Sequence, residues 1–507
     1  MKKKTLSLKQ LQKKIAILKK KKKRIVLCHG VFDLLHVGHI KHLKKAKEFG
    51  DKLVVTLTSD RYVNKGPGRP VFNQTLRSES IAAIDSVDYV AINDAPTAVN
   101  PIKIIKPNIY CKGKDYKNFN DDITGEIKNE TREIKKIKGR IVFTEEVTFS
   151  SSRLINRSTD FFSPKQKKII KRITKTSNFK TIKKIIDNFN KLKILVIGET
   201  IIDQYNFCEA VGKSGKEPML VLKEIKKDQY LGGVLSIARN LSQFSNKITV
   251  LSMIGEKKDY LKDINKNLPK NIKTKFVYKE NSPTIVKKRY VDSISHSKVI
   301  GIYNINDEIL KKKDEIIFNK LLKKEIKKHD LIIVSDYGHG LISKKSANLI
   351  CKKSKFLALN AQINAFNIGF HTIRNYKNFN ALIINEKEIR HEMRDKVRKL
   401  EILMRNLSKE KNVKNLIVTM GSSGALLYQK TKNKFYYAEA YADNIVDKVG
   451  AGDTMLSLIG PCLKSNMDRD IALLISSLAA AQSVESMGNE YKVNKIKILK
   501  TLENILK

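Results

Sequence analysis

The fold of the first part of the chain is indicated by the stretch Arg24-Ile-Val-Leu-Cys-His-Gly-Val-Phe-Asp-Leu-Leu-His-Val-Gly-His39. Its opening apolar run is typical of a buried strand, and the pattern that follows predicts a helix as far as Phe49. Gly50 and Asp51 end that helix, and the next strand is predicted over Lys52–Leu57. A strand, a helix and a second strand with short connections predict a βαβ unit of a parallel sheet.

A second α/β pattern begins at Lys193-Ile-Leu-Val-Ile-Gly198 and continues to the end of the chain. Its apolar runs alternate with helical segments, which is typical of a doubly wound sheet. Residues 158–190 differ from both parts, because they are basic and helical in period and contain no strand pattern. We therefore predict an α/β domain over residues 1–157, a helical linker over 158–190 and a different α/β domain over 191–507.

The composition indicates an intracellular globular protein. A length of 507 residues allows two or three domains with sizeable cores. The five cysteines are scattered, which fits neither a disulfide framework nor a Cys-rich zinc site and favours a reducing compartment. No apolar stretch follows the Lys-rich start before Arg24, and the longest apolar run, Ile471–Val484, is interrupted by polar residues. We expect a soluble, cytoplasmic protein with no signal peptide and no membrane partner.

The formal net charge of +49 at pH 7 raises the question of nucleic-acid binding. Lysine is spread along the whole chain, however, and only Lys19–Arg24 forms a dense basic run. A nucleic-acid surface would concentrate the charge and interleave aromatic residues for base stacking. We therefore expect no nucleic-acid partner, and the excess of positive charge suits phosphorylated small molecules equally well.

Four of the nine histidines, His29, His36, His39 and His42, follow the first strand closely. The carboxyl end of such a strand is where an open parallel sheet binds its ligand. His36 and His39 lie three residues apart in the first turn of a helix, whose amide groups and dipole suit a polyphosphate. This arrangement can stabilise the charge that develops when a nucleophile attacks the α-phosphorus of a nucleoside triphosphate and pyrophosphate leaves.

Zinc is the alternative ligand for these histidines. They lack carboxylate or cysteine partners at the usual ligand spacing, apart from Cys28 at the end of the strand. We therefore favour phosphate chemistry and expect no resident metal ion, since Mg²⁺ arrives with the nucleotide.

The stretch Cys28–His39 resembles the HxGH signature of the nucleotidyltransferase superfamily, in its cytidylyltransferase-like branch. Further matches, including Lys65-Gly66 and Phe149-Ser-Ser-Ser-Arg153, extend the resemblance over about residues 5–157. It implies a Rossmann-like domain in which His36 and His39 are catalytic. It also implies that the triphosphate is bound by Phe32, Lys65, Ser150, Ser151, Ser152 and Arg153.

Near the C-terminus, Asp447-Lys-Val-Gly-Ala-Gly-Asp-Thr454 opens an apolar helix. Its glycines allow backbone amides to converge on an anion, and the start of the helix reinforces them. Asp453 lies beside that anion hole, where a carboxylate can take a proton from a sugar hydroxyl that attacks the γ-phosphate of ATP. An ordinary glycine-rich turn with an aspartate cap is the alternative interpretation of the bare pattern.

This pattern resembles the second signature of the ribokinase-like (PfkB) sugar kinases, and other matches occur in the order of that family across about residues 191–507. They are Gly198–Asp203, Leu231–Asn240, Ser335–Gly340, Asn385 with Glu388, and Thr419–Gly424. The resemblance implies a ribokinase-like fold with Asp453 as the catalytic base and Gly450, Ala451 and Gly452 as the anion hole. It assigns sugar contacts to Asp203, Gly232, Gly233 and Asp336. It assigns the Mg²⁺–ATP region to Asn385 and Glu388, and the nucleotide lining to Ser422 and Gly424.

Two positions depart from the PfkB pattern. Ser236 stands where the family usually has Asn, and Asn360 stands where its strand often ends in Asp. Both positions are expected near the sugar, so they point to an altered sugar specificity or a weaker kinase.

The two domains together resemble the bifunctional heptose 7-phosphate kinases/heptose 1-phosphate adenylyltransferases of bacterial lipopolysaccharide precursor synthesis, in reversed order. We therefore expect a nucleotide-activated sugar to be made with Mg²⁺, ATP for the kinase step, and ATP or CTP for the transfer. The partners are then sugar phosphates and nucleotides, and a homo-oligomer is left open. The alternatives are a polyol or glycerol phosphate cytidylyltransferase joined to an unrelated sugar kinase, or to a non-catalytic sugar-sensing module.

Overall fold

The structure is a computed structural model, and it describes residues 4–66, 68–118, 122–145, 162–369, 373–442, 444–490 and 492–506. The chain divides into two compact units. The first comprises Met1–Lys167 with Ile496–Lys507, and the second comprises Lys168–Lys495. The last helix thus belongs to the first unit, whereas the sequence predicted one domain from 191 to the end. It stays a prediction that the two predicted domains, residues 1–157 and 191–507, fold independently.

The first unit is built on a five-stranded parallel sheet in the order β3-β2-β1-β4-β5. The strands are β1 Ile25–Gly30, β2 Lys52–Thr58, β3 Tyr89–Asn93, β4 Ile109–Gly113 and β5 Arg140–Thr144. Successive residues of β1 belong to different hydrophobic clusters, as alternate faces of a buried strand require: Val26 and Cys28 to one, Ile25 and Leu27 to the other. The doubly wound α/β fold predicted here is confirmed.

Among the residues that the structure describes, six helices accompany this sheet: α1 Leu8–Lys20, α2 Val37–Glu48, α3 Gln74–Ala82, α4 Val99–Ile105, α5 Glu126–Lys136 and the C-terminal helix Lys495–Ile505. The C-terminal helix buries Ile498, Leu502 and Ile505. Asn504 also donates from Nδ2 to the carbonyl oxygen of Lys65 at 3.1 Å. Because these contacts join residues far apart in the sequence, hydrophobic periodicity alone does not predict which unit contains this helix.

Two helices, α6 Pro164–Thr176 and α7 Phe179–Asn188, occupy most of the segment predicted as a helical linker. Both have a buried apolar face, with Ile169 and Ile173 on α6 and Ile182 and Ile186 on α7. That the segment acts as a linker between two domains stays a prediction. Both helices are packed elements, however, and the second unit begins within α6.

The second unit has a nine-stranded sheet in the order β10-β9-β6-β13-β14-β15-β16-β17-β18. The central strands are β6 Ile194–Gly198, β9 Ile248–Gly255, β10 Ile272–Lys279, β13 Leu331–Asp336, β14 Leu357–Ala361, β15 Phe379–Asn385 and β16 Val413–Thr419. These strands are parallel, and β17 Ala425–Gln429 and β18 Lys434–Ala438 extend the sheet in antiparallel pairing. The carboxyl ends of the parallel strands share one edge, where ligands bind in such sheets.

A separate four-stranded sheet follows the order β12-β11-β7-β8. Its strands are β7 Thr200–Lys213, β8 Leu220–Gly233, β11 Ile285–Asp292 and β12 Lys298–Asn304. The sequence did not predict this sheet, since long stretches of β8 and β12 are exposed and carry no apolar run typical of a buried strand.

The helices of the second unit after α7 are α8 Val234–Leu241, α9 Leu261–Asn267, α10 Lys312–Ile326, α11 Lys344–Lys353, α12 Glu386–Met393, α13 Leu400–Lys411, α14 Ala451–Lys464 and α15 Arg469–Val484. The C-terminal helix Lys495–Ile505 is α16. In the part of the chain that the structure describes, no helix is long and apolar enough to cross a membrane.

Candidate active sites

The histidine pair of the first unit lies where β1 gives way to α2. His36 is the N-cap of α2, and its Nδ1 accepts a hydrogen bond from the amide of Gly38 at 3.1 Å. The rings of His36 and His39 stack with centroids 4.0 Å apart, and Phe32 meets the His39 ring edge-on at 5.3 Å. The structure thus brings together three of the side chains that the sequence predicted for the triphosphate.

These imidazoles are neutral at physiological pH. Burial, together with the neighbouring charges of His36, Lys65 and His42, lowers the pKa of His39 to about 3. Burial and Lys65 also lower the pKa of His36. Lys65 is therefore close enough to both rings to act on them, as its predicted phosphate role requires. A neutral imidazole still donates one hydrogen bond, so the pair can bind phosphate oxygens without changing charge.

The remaining predicted triphosphate contacts are not among the described residues, and a nearby arginine, Arg77, has a different role. Ser150, Ser151, Ser152 and Arg153, predicted to cover the β- and γ-phosphates, lie outside the described residues. Arg77 is almost fully buried, and its guanidinium donates to the carbonyl oxygens of Phe72, Val31 and Thr58. These bonds give Arg77 a structural role between loops.

The second candidate site is a cavity of about 600 Å³ in the second unit. Most of the residues predicted for the kinase line it, namely Asp203, Gly233, Asn385, Glu388, Ser422, Gly424, Gly450, Ala451, Gly452 and Asp453. They come from widely separated parts of the chain, and the carboxyl edge of the nine-stranded sheet brings them together.

Asp453 lies in the first turn of α14 and accepts two hydrogen bonds. The hydroxyl of Tyr337 donates to its Oδ2 at 2.9 Å, and that of Ser335 donates to its Oδ1 at 3.2 Å. Burial raises the pKa of Asp453 to about 6, against the lowering effect of these hydroxyls. The carboxyl group is therefore ionised at neutral pH yet basic enough to take a proton, which is what a general base needs.

The glycine loop before Asp453 has the geometry of an anion site. Gly450 caps α14 with a φ of +85°, and a Cβ there would lie 2.5 Å from Oδ1 of Asn489. The first amides of α14 have no acceptor within the helix and point out of its end. A Cβ added at Gly452 would meet nothing within 4 Å, so there is room beside those amides for a ligand.

A network of charged and polar side chains faces Asp453 from the four-stranded sheet. Arg289 donates from Nη1 to Oδ1 of Asp203 at 2.6 Å, and Asn489 donates from Nδ2 to Oδ2 at 3.1 Å. Lys287 lines the same cavity and is 8% exposed. Burial lowers the pKa of Lys287, although Asp203 and Asp453 act in the opposite direction. The cavity is thus lined by three cationic side chains, Lys287, Arg289 and Lys448, besides its carboxylates.

Asn385 and Glu388 form a capping box at the start of α12. Oδ1 of Asn385 accepts from the amide of Glu388 at 2.8 Å, and Oε2 of Glu388 accepts from the amide of Asn385 at 2.8 Å. Both residues line the cavity, and Oε1 of Glu388 also accepts from the amide of Ile363 at 3.2 Å. Ser422 is in a tight turn that ends at Gly424, on the wall formed by β16 and β17.

Two predicted sugar contacts do not line the cavity. Asp336 accepts hydrogen bonds from Tyr376 at 2.6 Å and from the amide of Gly338 at 3.1 Å, and the next residue, Tyr337, lines the cavity instead. Gly232 lies under Asp203, since a Cβ there would be 2.1 Å from its Oδ2. Asp336 is therefore a scaffold residue at the end of β13, and Gly232 makes room for a side chain that does face the cavity.

Sequence reasoning missed Lys287, Arg289, Tyr337 and Asn489. The alternation of Lys287 and Arg289 within β11 was a usable signal, because residues two apart in a strand face the same side. The departures Ser236 and Asn360 are both near the site: Ser236 donates to Oδ1 of Asn489 at 2.9 Å, and Asn360 lines the cavity.

Comparison with known families agrees with this arrangement. The family described as pfkB family carbohydrate kinase matches residues 191–496, more than half of the chain. The chain belongs to the pfkB family of carbohydrate kinases. A second family, described as cytidylyltransferase-like, matches residues 27–158 and precedes the kinase match along the chain. The predicted combination of the two folds is thereby confirmed.

Curated relatives match portions of the chain. A "Bifunctional protein HldE" of Nitratiruptor sp. is 44% identical over 125 residues, which is 24% of this chain and 27% of the relative. A protein of the same name from Campylobacter jejuni serotype O:6 is 26% identical over 302 residues, covering 59% of this chain and 62% of the relative. The chain thus spans less than two thirds of the length of these relatives.

Among solved structures, Arabidopsis thaliana ribokinase complexed with ribose and ATP covers 61% of this chain and 98% of its own, with 17% identity and a TM-score of 0.48. Phosphofructokinase-2 from Escherichia coli in complex with potassium covers 61% and 99%, with 14% identity and a TM-score of 0.49.

Proposed function

We propose that this chain makes a nucleotide-activated sugar in two steps. The second unit phosphorylates a sugar phosphate with ATP, and the first unit transfers a nucleotidyl group from ATP or CTP to the resulting sugar 1-phosphate, releasing pyrophosphate. The names of the curated relatives support a bifunctional protein. The resemblance to the heptose enzymes makes heptose 7-phosphate the first sugar to test.

The observation that carries the kinase half is the single cavity that holds both a general base and an anion site. Asp453 takes the proton of the attacking sugar hydroxyl, and the amides at the start of α14 stabilise charge on the transferred phosphoryl group. Asp203, held by Arg289 and Asn489, accepts hydrogen bonds from sugar hydroxyls.

The same cavity supports a substrate that already carries a phosphate. Lys287 and Arg289 bring two positive charges to the sugar side, of which Asp203 balances one. Asp453 also attracts the buried Lys287 ammonium, but it loses its negative charge when it takes the hydroxyl proton, and a neutral sugar would then leave Lys287 without a compensating anion, which is costly. A phosphate on the substrate would supply that charge.

Mg²⁺ fits the nucleotide side of the cavity. Asn385 and Glu388 carry oxygen atoms there, and Mg²⁺ prefers oxygen ligands shared with substrate phosphates. When bound, the ion neutralises charge on the phosphate oxygens of ATP. Asn385 and Glu388 would hold it, directly or through water.

The transferase half rests on the His36–His39 pair at the start of α2. The sugar 1-phosphate is itself the nucleophile, so no side chain needs to become one. The two imidazoles and Lys65 stabilise charge on the phosphate oxygens during attack and on the leaving pyrophosphate.

The decisive experiment incubates the full chain with a panel of sugar phosphates and either ATP alone or ATP with CTP, and identifies the products by mass. A nucleotide sugar formed from heptose 7-phosphate supports the proposal, and the nucleotide requirement decides between ATP and CTP. If the sugar is phosphorylated but no nucleotide sugar forms, even when a sugar 1-phosphate is added, the two activities are unrelated. Absence of any phosphorylation would favour a sensing module.

A further inference from the structure

Two buried cysteines and a histidine come together in the first unit, one helical turn along α2 from His39. Cys28 on β1 and Cys111 on β4 are partners in the parallel pairing of these strands. They are 0% and 1% exposed, and both side chains belong to the hydrophobic cluster on one face of the sheet. Their partner in space is His42 of α2, and the two Sγ atoms and a ring nitrogen of His42 all lie within 4.8 Å of one another.

We propose that Cys28, Cys111 and His42 form a zinc site that fastens α2 to the sheet. Thiolate and imidazole are the ligand types that zinc prefers, and tetrahedral bonds of about 2.3 Å to sulfur and 2.0 Å to nitrogen hold such donors roughly 3.6 to 3.8 Å apart. Side-chain adjustments of about an ångström would therefore complete the geometry from the present arrangement.

The surroundings of His42 prepare it as a ligand. Its Nδ1 lies 2.7 Å from Oγ1 of Thr144, a hydrogen bond that orients the ring. When Nδ1 donates to Thr144, the lone pair is on Nε2. Such an outer partner is typical of metal-binding histidines.

The charges also balance. Two thiolates and a neutral imidazole compensate the charge of Zn²⁺, and the thiol protons leave to solvent on binding. The Lys112 ammonium nearby lies 3.4 Å from the carboxylate of Glu130, which offsets its repulsion of a cation. Among the residues that the structure describes, no fourth His, Cys, Asp or Glu joins the group, so water takes the remaining position.

The site would connect three elements that build the transferase centre. β1 leads into the loop with Phe32, and β4 is its neighbour. α2 has His36 as its N-cap and carries His39 one turn before His42. Zinc at this point would fix the position of α2 on the sheet. We assign it a structural role, because Cys28 and Cys111 are buried in the hydrophobic cluster on one face of the sheet.

The test measures metal in the full chain, purified with a reductant, loaded with Zn²⁺ and dialysed against a weak chelator. We expect one zinc per chain, and loading with Co²⁺ to give the near-ultraviolet charge-transfer band of cobalt thiolate. Cys28→Ser and Cys111→Ser should lose the metal and the band. Cys462→Ser, which removes another fully buried thiol, should keep both.

A second variant separates loss of metal from loss of fold. Thr144→Val leaves every ligand in place but removes the hydrogen bond to His42, so zinc affinity should fall by about 10- to 100-fold. Unchanged kinase activity and circular dichroism would report that the chain is folded. Zinc absent from the loaded wild type, or retained equally by Cys111→Ser, would overturn the proposal.

Discussion

The two proposed phosphate-handling centres of this chain differ in how they use charge. The centre in the first unit presents neutral, stacked imidazoles whose pKa values burial has driven down. The cavity in the second unit holds Asp453, whose pKa burial has driven up to about 6, among other charged side chains. The same physical cause, loss of water, thus acts in opposite directions on an acid and a base.

The difference follows the chemistry of each step. A sugar hydroxyl must lose a proton to attack ATP, so the kinase needs a base that is ionised near neutral pH. A sugar phosphate already carries its negative charge, so the transferase needs hydrogen-bond donors and no base. Five experiments test this contrast, taken from the largest expected effect to the smallest.

Asp453→Asn should have the largest effect. The amide keeps the shape of the carboxylate but cannot accept the hydroxyl proton, so we expect phosphorylation to fall by ~10²–10⁴. Transfer to a supplied sugar 1-phosphate should be unchanged, and adding that compound should restore nucleotide-sugar formation. Coupled assays with and without it measure this. Full kinase activity in the variant would refute the assignment of the base.

His39→Ala should impair only the other centre. Removing one donor to the phosphate oxygens is expected to cost on the order of a hundredfold in pyrophosphate release. Kinase activity should be retained, so this variant and Asp453→Asn serve as controls for each other. Normal transferase rates with His39→Ala would remove the histidine pair from the mechanism.

Lys287→Met tests whether the kinase substrate carries a phosphate. Losing a buried cation that binds this group should raise KM for the sugar phosphate by roughly 10- to 100-fold, with a smaller effect on the KM for ATP. Lys288→Met is the matched control, because the adjacent residue of β11 does not line the cavity. Equal effects of the two substitutions would argue against a phosphate subsite.

The pH profiles should separate the centres in the unmodified protein. The base works when Asp453 is ionised, so kinase kcat should fall about tenfold per pH unit below pH 6 and level off above it. The imidazoles near the phosphates titrate far lower, with the pKa of His39 at about 3, so transferase kcat should stay nearly constant between about pH 5 and 8. A transferase that lost activity near pH 6.5 would indicate an ionising histidine.

Tyr337→Phe should have the smallest effect on kinase activity, and the effect should depend on pH. The Tyr337 hydroxyl lowers the pKa of Asp453, so its removal should move the acid limb of the kinase profile to higher pH. We expect about a threefold loss at pH 7 that largely recovers at pH 8. Tyr376→Phe removes a similar hydrogen bond from Asp336, outside the cavity, and should leave the profile in place.

Much of the architecture followed from local pattern. The strands β1, β2 and β6 are apolar runs buried on both faces, so composition alone marks them. The first-turn positions of His36 and Asp453 also followed from the residues around them. The four-stranded sheet did not, because its exposed strands carry a mixed polar pattern that resembles a loop.

The two α/β folds, their order and the residues at the strand ends can be predicted from the sequence, because they depend on short-range periodicity and on motifs of contiguous residues. The surroundings of those residues depend on the packing of the folded chain. This packing brought Lys287 and Tyr337 to Asp453, turned Asp336 away from the cavity, and placed α16 in the first unit. These outcomes depend on contacts between distant segments, whose pairing no local pattern specifies, and burial in those contacts then determines the pKa values that the chemistry uses.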